Sequence, residues 1–246
     1  SQISALNGAD LVVWMGPEMT PWLDRALSLD TLANTLSLLH TSGTHLRSSA
    51  EGRTQPTDAN DTGAGTDDAH HHEGTDPHAW LDPDNAALWL SQIADALAQR
   101  DPGNAAIYRA NASLAQTRIQ TLGETLTTTL APAGGKQFVM AHDAYGYFAG
   151  QSGLTIAGSR AEGDAAAPGA EHLSELRARL VFGDVACIFP EVLRDPKPVT
   201  TLAEGTPARI GEALDPEGRL LDPGAGLYLA LMNQLGKSIA DCANAD

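Results

Sequence analysis

The 246-residue chain carries 31 acidic against 15 basic residues, a formal charge of −16, and such a field repels nucleic acid and anionic membrane surfaces while attracting cations. Apolar residues make up 42% and charged residues 19%, an ordinary globular composition with length enough for two lobes. No run of about 18 apolar residues occurs, so no segment is expected to enter a bilayer. The chain opens without a basic and then apolar leader, and any secretion signal is expected to lie upstream or to have been removed.

In chain order, SQISALNGADLVVW reads as a helix running into a buried strand, and MTPWLDRAL as a second helix. From Arg47 to Ala79 there is no Val, Ile, Leu, Met, Phe, Trp, Tyr or Cys. A segment of that kind cannot bury enough to offset its ordering entropy, so residues 47–76 are expected to form a mobile His- and Asp-rich loop interrupting a folded lobe. After it, Asp84 is expected to cap a helix with Ala86, Leu90, Ile93 and Leu97 on one face, ending near Asp101-Pro102-Gly103. A longer helix over 104–130 carries Ile107, Leu114, Leu122 and Leu126 near one stripe, although Gly123 and a run of Thr weaken it.

Beyond Pro132, strand and helix patterns alternate through KQFVMA, AYGYFAGQ, LTIAG, PGAEHLSELRARLV, VACIFPE, PVTTLAEG, ARIGEAL and LYLALMNQLGKSIA. Alternation means a mostly parallel sheet covered by helices. The expected fold is α/β: an N-terminal lobe over residues 1–103, a linking helix over 104–130 and a C-terminal lobe over 131–246.

Six of the eight histidines lie between His40 and His78, the others of that group being His45, His70, His71 and His72. Imidazole suits Zn, Cu and Ni, and a carboxylate-rich tract raises local cation concentration without holding a defined geometry. His78 differs from the loop histidines because DPHAWLDP fixes its backbone between prolines, yet alone it fits a hydrogen-bonded structural role equally well. His142 closes the strand-like KQFVMA at the carboxyl edge of a parallel sheet, where open α/β folds place ligands; Asp143 is a candidate to orient its ring. Asp215 ends a later strand in the analogous place, or is simply a turn-forming Asp-Pro. Cys187 and Cys242 are either two thiols or one structural disulfide.

The segments DPHAWLDPDNAALW, VMAHDAYGYFAGQSGL, VACIFPEVL and ALDP, in that order and behind a His-rich acidic stretch, closely resemble the zinc-specific periplasmic binding proteins of ABC importers, the cluster A-I family. The resemblance covers essentially the whole chain. It implies two lobes of parallel sheet flanked by helices, joined by one long rigid helix, with metal in the cleft between them. His78 from the N-terminal lobe and His142 from the C-terminal lobe then ligate Zn2+, and Asp215 matches an acidic position that coordinates metal in some relatives. Manganese-binding relatives carry a carboxylate where His142 stands, and exchanging carboxylate for imidazole shifts preference from a hard cation toward zinc. The resemblance also implies an auxiliary loop site at His70, His71 and His72, a Cys187–Cys242 disulfide, a periplasmic location, a monomeric state, and as partners the membrane permease of an ABC transporter and a periplasmic zinc chaperone.

The family pattern begins with further strands and a first metal-binding His, none of which lies before Ser1, so the N-terminal lobe is expected to be incomplete. Two competing functions remain. A freestanding periplasmic zinc chaperone or buffer would use the same residues. A metal-dependent hydrolase would need a general base, for which Glu191 is the one obvious candidate, but no HExxH or GxSxG occurs. The chain is accordingly expected not to be an enzyme.

Overall fold

The computed structural model describes residues 2–27, 34–48, 74–161 and 169–245. The expected helix and strand at the start are α1 (Gln2–Asn7) and β1 (Val12–Trp14), followed by α2 (Pro21–Ala26). A strand that the sequence does not announce, β2 (Thr35–Ser37), pairs in parallel with β1 through Val12↔Thr35 and Trp14↔Ser37. Its pattern TLS has no buried member, so neither alternation nor an apolar run marks it. Most of the expected loop 47–76, with His70, His71 and His72, lies outside the described residues.

Helix α3 spans Pro83–Arg100, with Pro at its first position and Asp82, not Asp84, as its cap: the Asp82 carboxylate accepts the Asp84 N–H at 2.9 Å. Its buried members are Asn85, Trp89, Ala94 and Ala98, one position away from the expected stripe. Helix α4, Ala105–Leu130, runs unbroken. Thr117, Thr121, Thr125, Thr127 and Thr128 each donate a hydroxyl to the carbonyl four residues back, so the Thr run satisfies itself inside the helix instead of ending it. Only the second half of the expected stripe is buried, Leu122 and Leu126 joining Ala112, Ile119 and Leu130, whereas Ile107 and Leu114 are each 56% exposed.

Beyond α4 the alternation is as read: β3 (Gln137–His142), α5 (Gly146–Ser152), β4 (Thr155–Ala161), α6 (Ala170–Phe182), β5 (Val185–Phe189), α7 (Lys197–Ala203), β6 (Arg209–Ile210) and α8 (Leu227–Asn244). The strands form a parallel sheet in the order β4-β3-β5-β6. Because β3 is central, with both faces covered, it reads as a continuous apolar run. Its period of two sends Phe138 and Met140 into one cluster with Leu122, Leu126, Leu235 and Ile239, and Val139 and Ala141 into another with Leu176, Leu180 and Val199. Helix α8 approaches α4 closely through Gly236, where a Cβ would lie 2.7 Å from Leu126 Cδ2. Cys187 on β5 and Cys242 on α8 form a disulfide. No helix among the described residues is long and apolar enough to cross a membrane.

Candidate metal centre

The first candidate ligand stands just before a tight turn. His78 precedes the 3-10 turn Ala79–Leu81, which is packed into the main core through Ala79 and Leu81. The second, His142, is the last residue of β3 and lies at the carboxyl edge of the sheet. Both are buried, at 5% and 3% exposure, and their ring centroids are 5.3 Å apart at an interplanar angle of 63°.

Each ring has a carboxylate on Nδ1. Asp76 Oδ1 lies 2.7 Å from His78 Nδ1 and also accepts the His78 backbone N–H at 3.0 Å. Glu191 Oε1 faces His142 Nδ1. A carboxylate on the Nδ1–H of an imidazole fixes tautomer and ring orientation, the arrangement found in metal sites that bind through Nε2. An imidazole centroid lies about 3.2 Å from a zinc ion bound at its nitrogen, so two rings sharing one tetrahedral ion sit about 5.2 Å apart, against the 5.3 Å between these two.

Glu191, which the sequence reading did not put forward for this role, thus places a carboxylate at His142 Nδ1. The reason is register: β3 and β5 are parallel with Met140 opposite Phe189, which brings position 142 beside position 191. The backbone N–H of Asp143 donates to the Ala161 carbonyl at 3.1 Å. Glu191 is further held by the Tyr145 hydroxyl, which donates to Oε1 at 2.8 Å, and by Arg194 Nε at 3.1 Å from Oε2. Burial pushes the Tyr145 phenol well above the ordinary tyrosine range, reinforced by the charge and hydrogen bond of Glu191 and the charge of Asp215, with Arg194 opposing.

Asp215 is buried at 3% exposure, and its two carboxylate oxygens accept the backbone N–H groups of Arg219 and Leu220 at 2.9 and 2.8 Å. That leaves each oxygen a further lone pair. The segment after it touches the His78 turn: Trp80 Nε1 donates to the Pro216 carbonyl at 2.8 Å, and the Tyr228 hydroxyl donates to the Trp80 carbonyl at 3.0 Å. The Tyr147 hydroxyl completes the junction, donating to the Asp76 carbonyl at 3.0 Å and accepting the Arg47 N–H at 2.8 Å.

Among the described residues no three His, Cys, Asp or Glu side chains are arranged as a ready metal cage; the two histidines stand together, each with a carboxylate at its Nδ1. The other clustered histidines that are described lie elsewhere. His40 Nε2 meets Glu18 Oε1 at 2.8 Å, and His45 Nδ1 meets Asp82 Oδ2 at 2.8 Å. Sequence reasoning missed Asp76 as a partner of His78 although it lies in the same motif two residues away. It weighed Glu191 only as a general base.

Comparison with known proteins identifies the family. The family model described as "Zinc-uptake complex component A periplasmic" matches residues 1–242. The High-affinity zinc uptake system protein ZnuA of Paracoccus denitrificans (strain Pd 1222) is 43% identical over 261 residues, covering 100% of this chain and 80% of that protein. Its namesake from Yersinia pestis is 31% identical over 251 residues, covering 98% of this chain and 78% of the relative. For the same-named Brucella abortus (strain 2308) protein the aligned stretch covers 68% of this chain and 50% of the relative. In fold, the chain is similar to the periplasmic zinc binding protein TroA from Treponema pallidum, with a TM-score of 0.76 at 20% identity over 99% of this chain and 84% of that one. A ZnuA crystal structure gives 0.75 at 23% identity, over 99% and 83%. A family-model match over residues 1–242 and a 43% identical relative aligned to 100% of this chain place it in the family of periplasmic zinc-uptake complex A components, a family of metal-binding transport proteins.

Proposed function

We propose that this protein captures Zn2+ in the periplasm between His78 and His142 and hands it to the membrane permease of an ABC importer. The observation that carries the reading is the spacing of the two buried rings, 5.3 Å between centroids, with both Nδ1 atoms turned to carboxylates. Asp215 is the proposed third donor. Its orientation by two backbone N–H groups supports that role. In this reading residues 1–103 and 131–246 are two lobes, the helix through 104–130 links them, and the metal lies between. His70, His71 and His72 are proposed as weaker auxiliary sites that raise the local zinc concentration. The names of the relatives, zinc uptake system proteins, support import over hydrolysis.

Calorimetric titration with zinc tests the site. The parent is expected to show one tight ion, lost in both His78→Ala and His142→Ala. Retention of the tight ion in both variants would place it elsewhere. Uptake in vesicles carrying the permease and its ATPase tests delivery: import that needs no addition of this protein would leave it a buffer.

A further inference from the structure

A cationic side chain reaches the carboxylate beside His142. Arg194 Nε lies 3.1 Å from Glu191 Oε2 while the other oxygen of the same carboxylate faces His142 Nδ1. The backbone turns back at Leu193, the one non-glycine residue among those described with a left-handed conformation (φ 59°). That turn helps return position 194 over position 191.

Arg194 is not the only group that places Glu191. Tyr145 donates to Oε1 at 2.8 Å, a parallel bridge joins Glu191 to Leu214, and the Val192 N–H donates to the Leu214 carbonyl at 3.0 Å. What the guanidinium adds is charge. A carboxylate on the Nδ1–H of a ligating imidazole raises the basicity of the ring. A fixed positive charge on the far oxygen of that carboxylate draws electron density the other way and repels a divalent cation arriving at Nε2.

The geometry points to Arg194 as a positioning residue that weakens zinc binding, acting through Glu191 on His142 and holding the affinity at a level from which the ion can be handed on. This rests on the reading of His142 as a zinc ligand. Arg194 therefore opposes the effect of the two carboxylates, and its removal tightens the site, whereas a merely structural arginine would loosen it on removal.

The test uses the full chain, with zinc affinity measured by chelator competition and release followed by stopped-flow transfer to an excess of chelator. Arg194→Met removes the charge and keeps the stem. Because the arginine side chain is 42% exposed and partly screened, its loss is expected to lower the zinc Kd by about three- to tenfold, mostly through slower release. Arg194→Lys keeps a charge and is expected to stay within about twofold of the parent. The tightening should vanish when His142→Ala is combined with Arg194→Met. Unchanged or weaker binding in Arg194→Met, with the metal-free melting temperature preserved, would overturn the inference, and so would tightening that persists without His142. Arg194→Gln gives the same reading should the methionine variant fail to fold. If His142→Ala alone binds zinc as tightly as the parent, the assignment of the ligand has failed, and the role of Arg194 falls with it.

Discussion

Replacing Asp76 by asparagine separates charge from shape at the His78 arm. The amide keeps an oxygen where Asp76 Oδ1 now accepts the His78 N–H at 3.0 Å and meets Nδ1 at 2.7 Å, and the backbone carbonyl that accepts from Tyr147 at 3.0 Å is untouched. What disappears is the negative charge that makes the imidazole a better donor. Losing such a partner costs about 10- to 100-fold in metal affinity, or about 1.4–2.8 kcal/mol. With free zinc at about a hundred times the parent Kd, binding stabilises the parent by about 2.7 kcal/mol. The same zinc concentration should stabilise Asp76→Asn by only about 0.4–1.4 kcal/mol. For a chain of this length 1 kcal/mol moves the melting temperature by about 2–4 °C, so a parental rise of about 5–11 °C should shrink to about 1–6 °C. Differential scanning fluorimetry with and without zinc reads the shift, and chelator competition reads the affinity. An Asp76→Asn protein with the parent's affinity and the parent's zinc-induced rise would refute the claim that this carboxylate tunes His78.

Three further outcomes follow from the packing. Removing the disulfide with Cys187→Ala and Cys242→Ala frees a separation of 55 residues, and loop entropy then predicts a loss of about 4 kcal/mol, seen as a lower urea midpoint and tested against the parent under reducing conditions. Gly211→Ala would place a methyl 2.1 Å from Phe189 Cε1, an overlap expected to cost at least about 1–3 kcal/mol in chemical denaturation; an unchanged midpoint would show that Phe189 has room to turn. Burial raises the Tyr147 phenol to about 12 and raises Tyr228 as well. A folded pKa above the unfolded value of about 10 gives stability that is present below pH 10 and lost as pH climbs through 12. Phenolate absorbance from these two tyrosines should therefore appear only together with alkaline unfolding, and an absorbance rise that precedes the loss of helical circular dichroism would contradict their burial.

Much of the fold is legible in the sequence because its signals are local. The apolar run ending at His142 marks the central strand and places the histidine at the carboxyl edge of a parallel sheet. The helix after the loop is legible from its periodic pattern although its cap, Asp82, lies two residues before the expected Asp84. The phase of the buried faces is less legible. Ile107 and Leu114 belong to a good helical stripe but are each 56% exposed. Which side of a helix is covered depends on what packs against it, and Gly236 on the far end of the chain decides how closely α8 covers the second half of α4.

The sequence by itself determined the histidines and their backbone settings, the cation-attracting charge and the family resemblance that joins them. Tertiary structure alone decided which acids serve them. Glu191 reaches His142 because two parallel strands meet with Met140 opposite Phe189, a pairing between segments about fifty residues apart that no periodicity in either strand encodes. Asp76 reaches His78 through a local turn, but what holds that turn in place is distant: Tyr147 on Asp76, and Pro216 and Tyr228 on Trp80. Propensity and pattern act over a few residues, whereas a metal site needs donors converged to within a few ångströms, and only the packing of the whole chain sets distances of that kind.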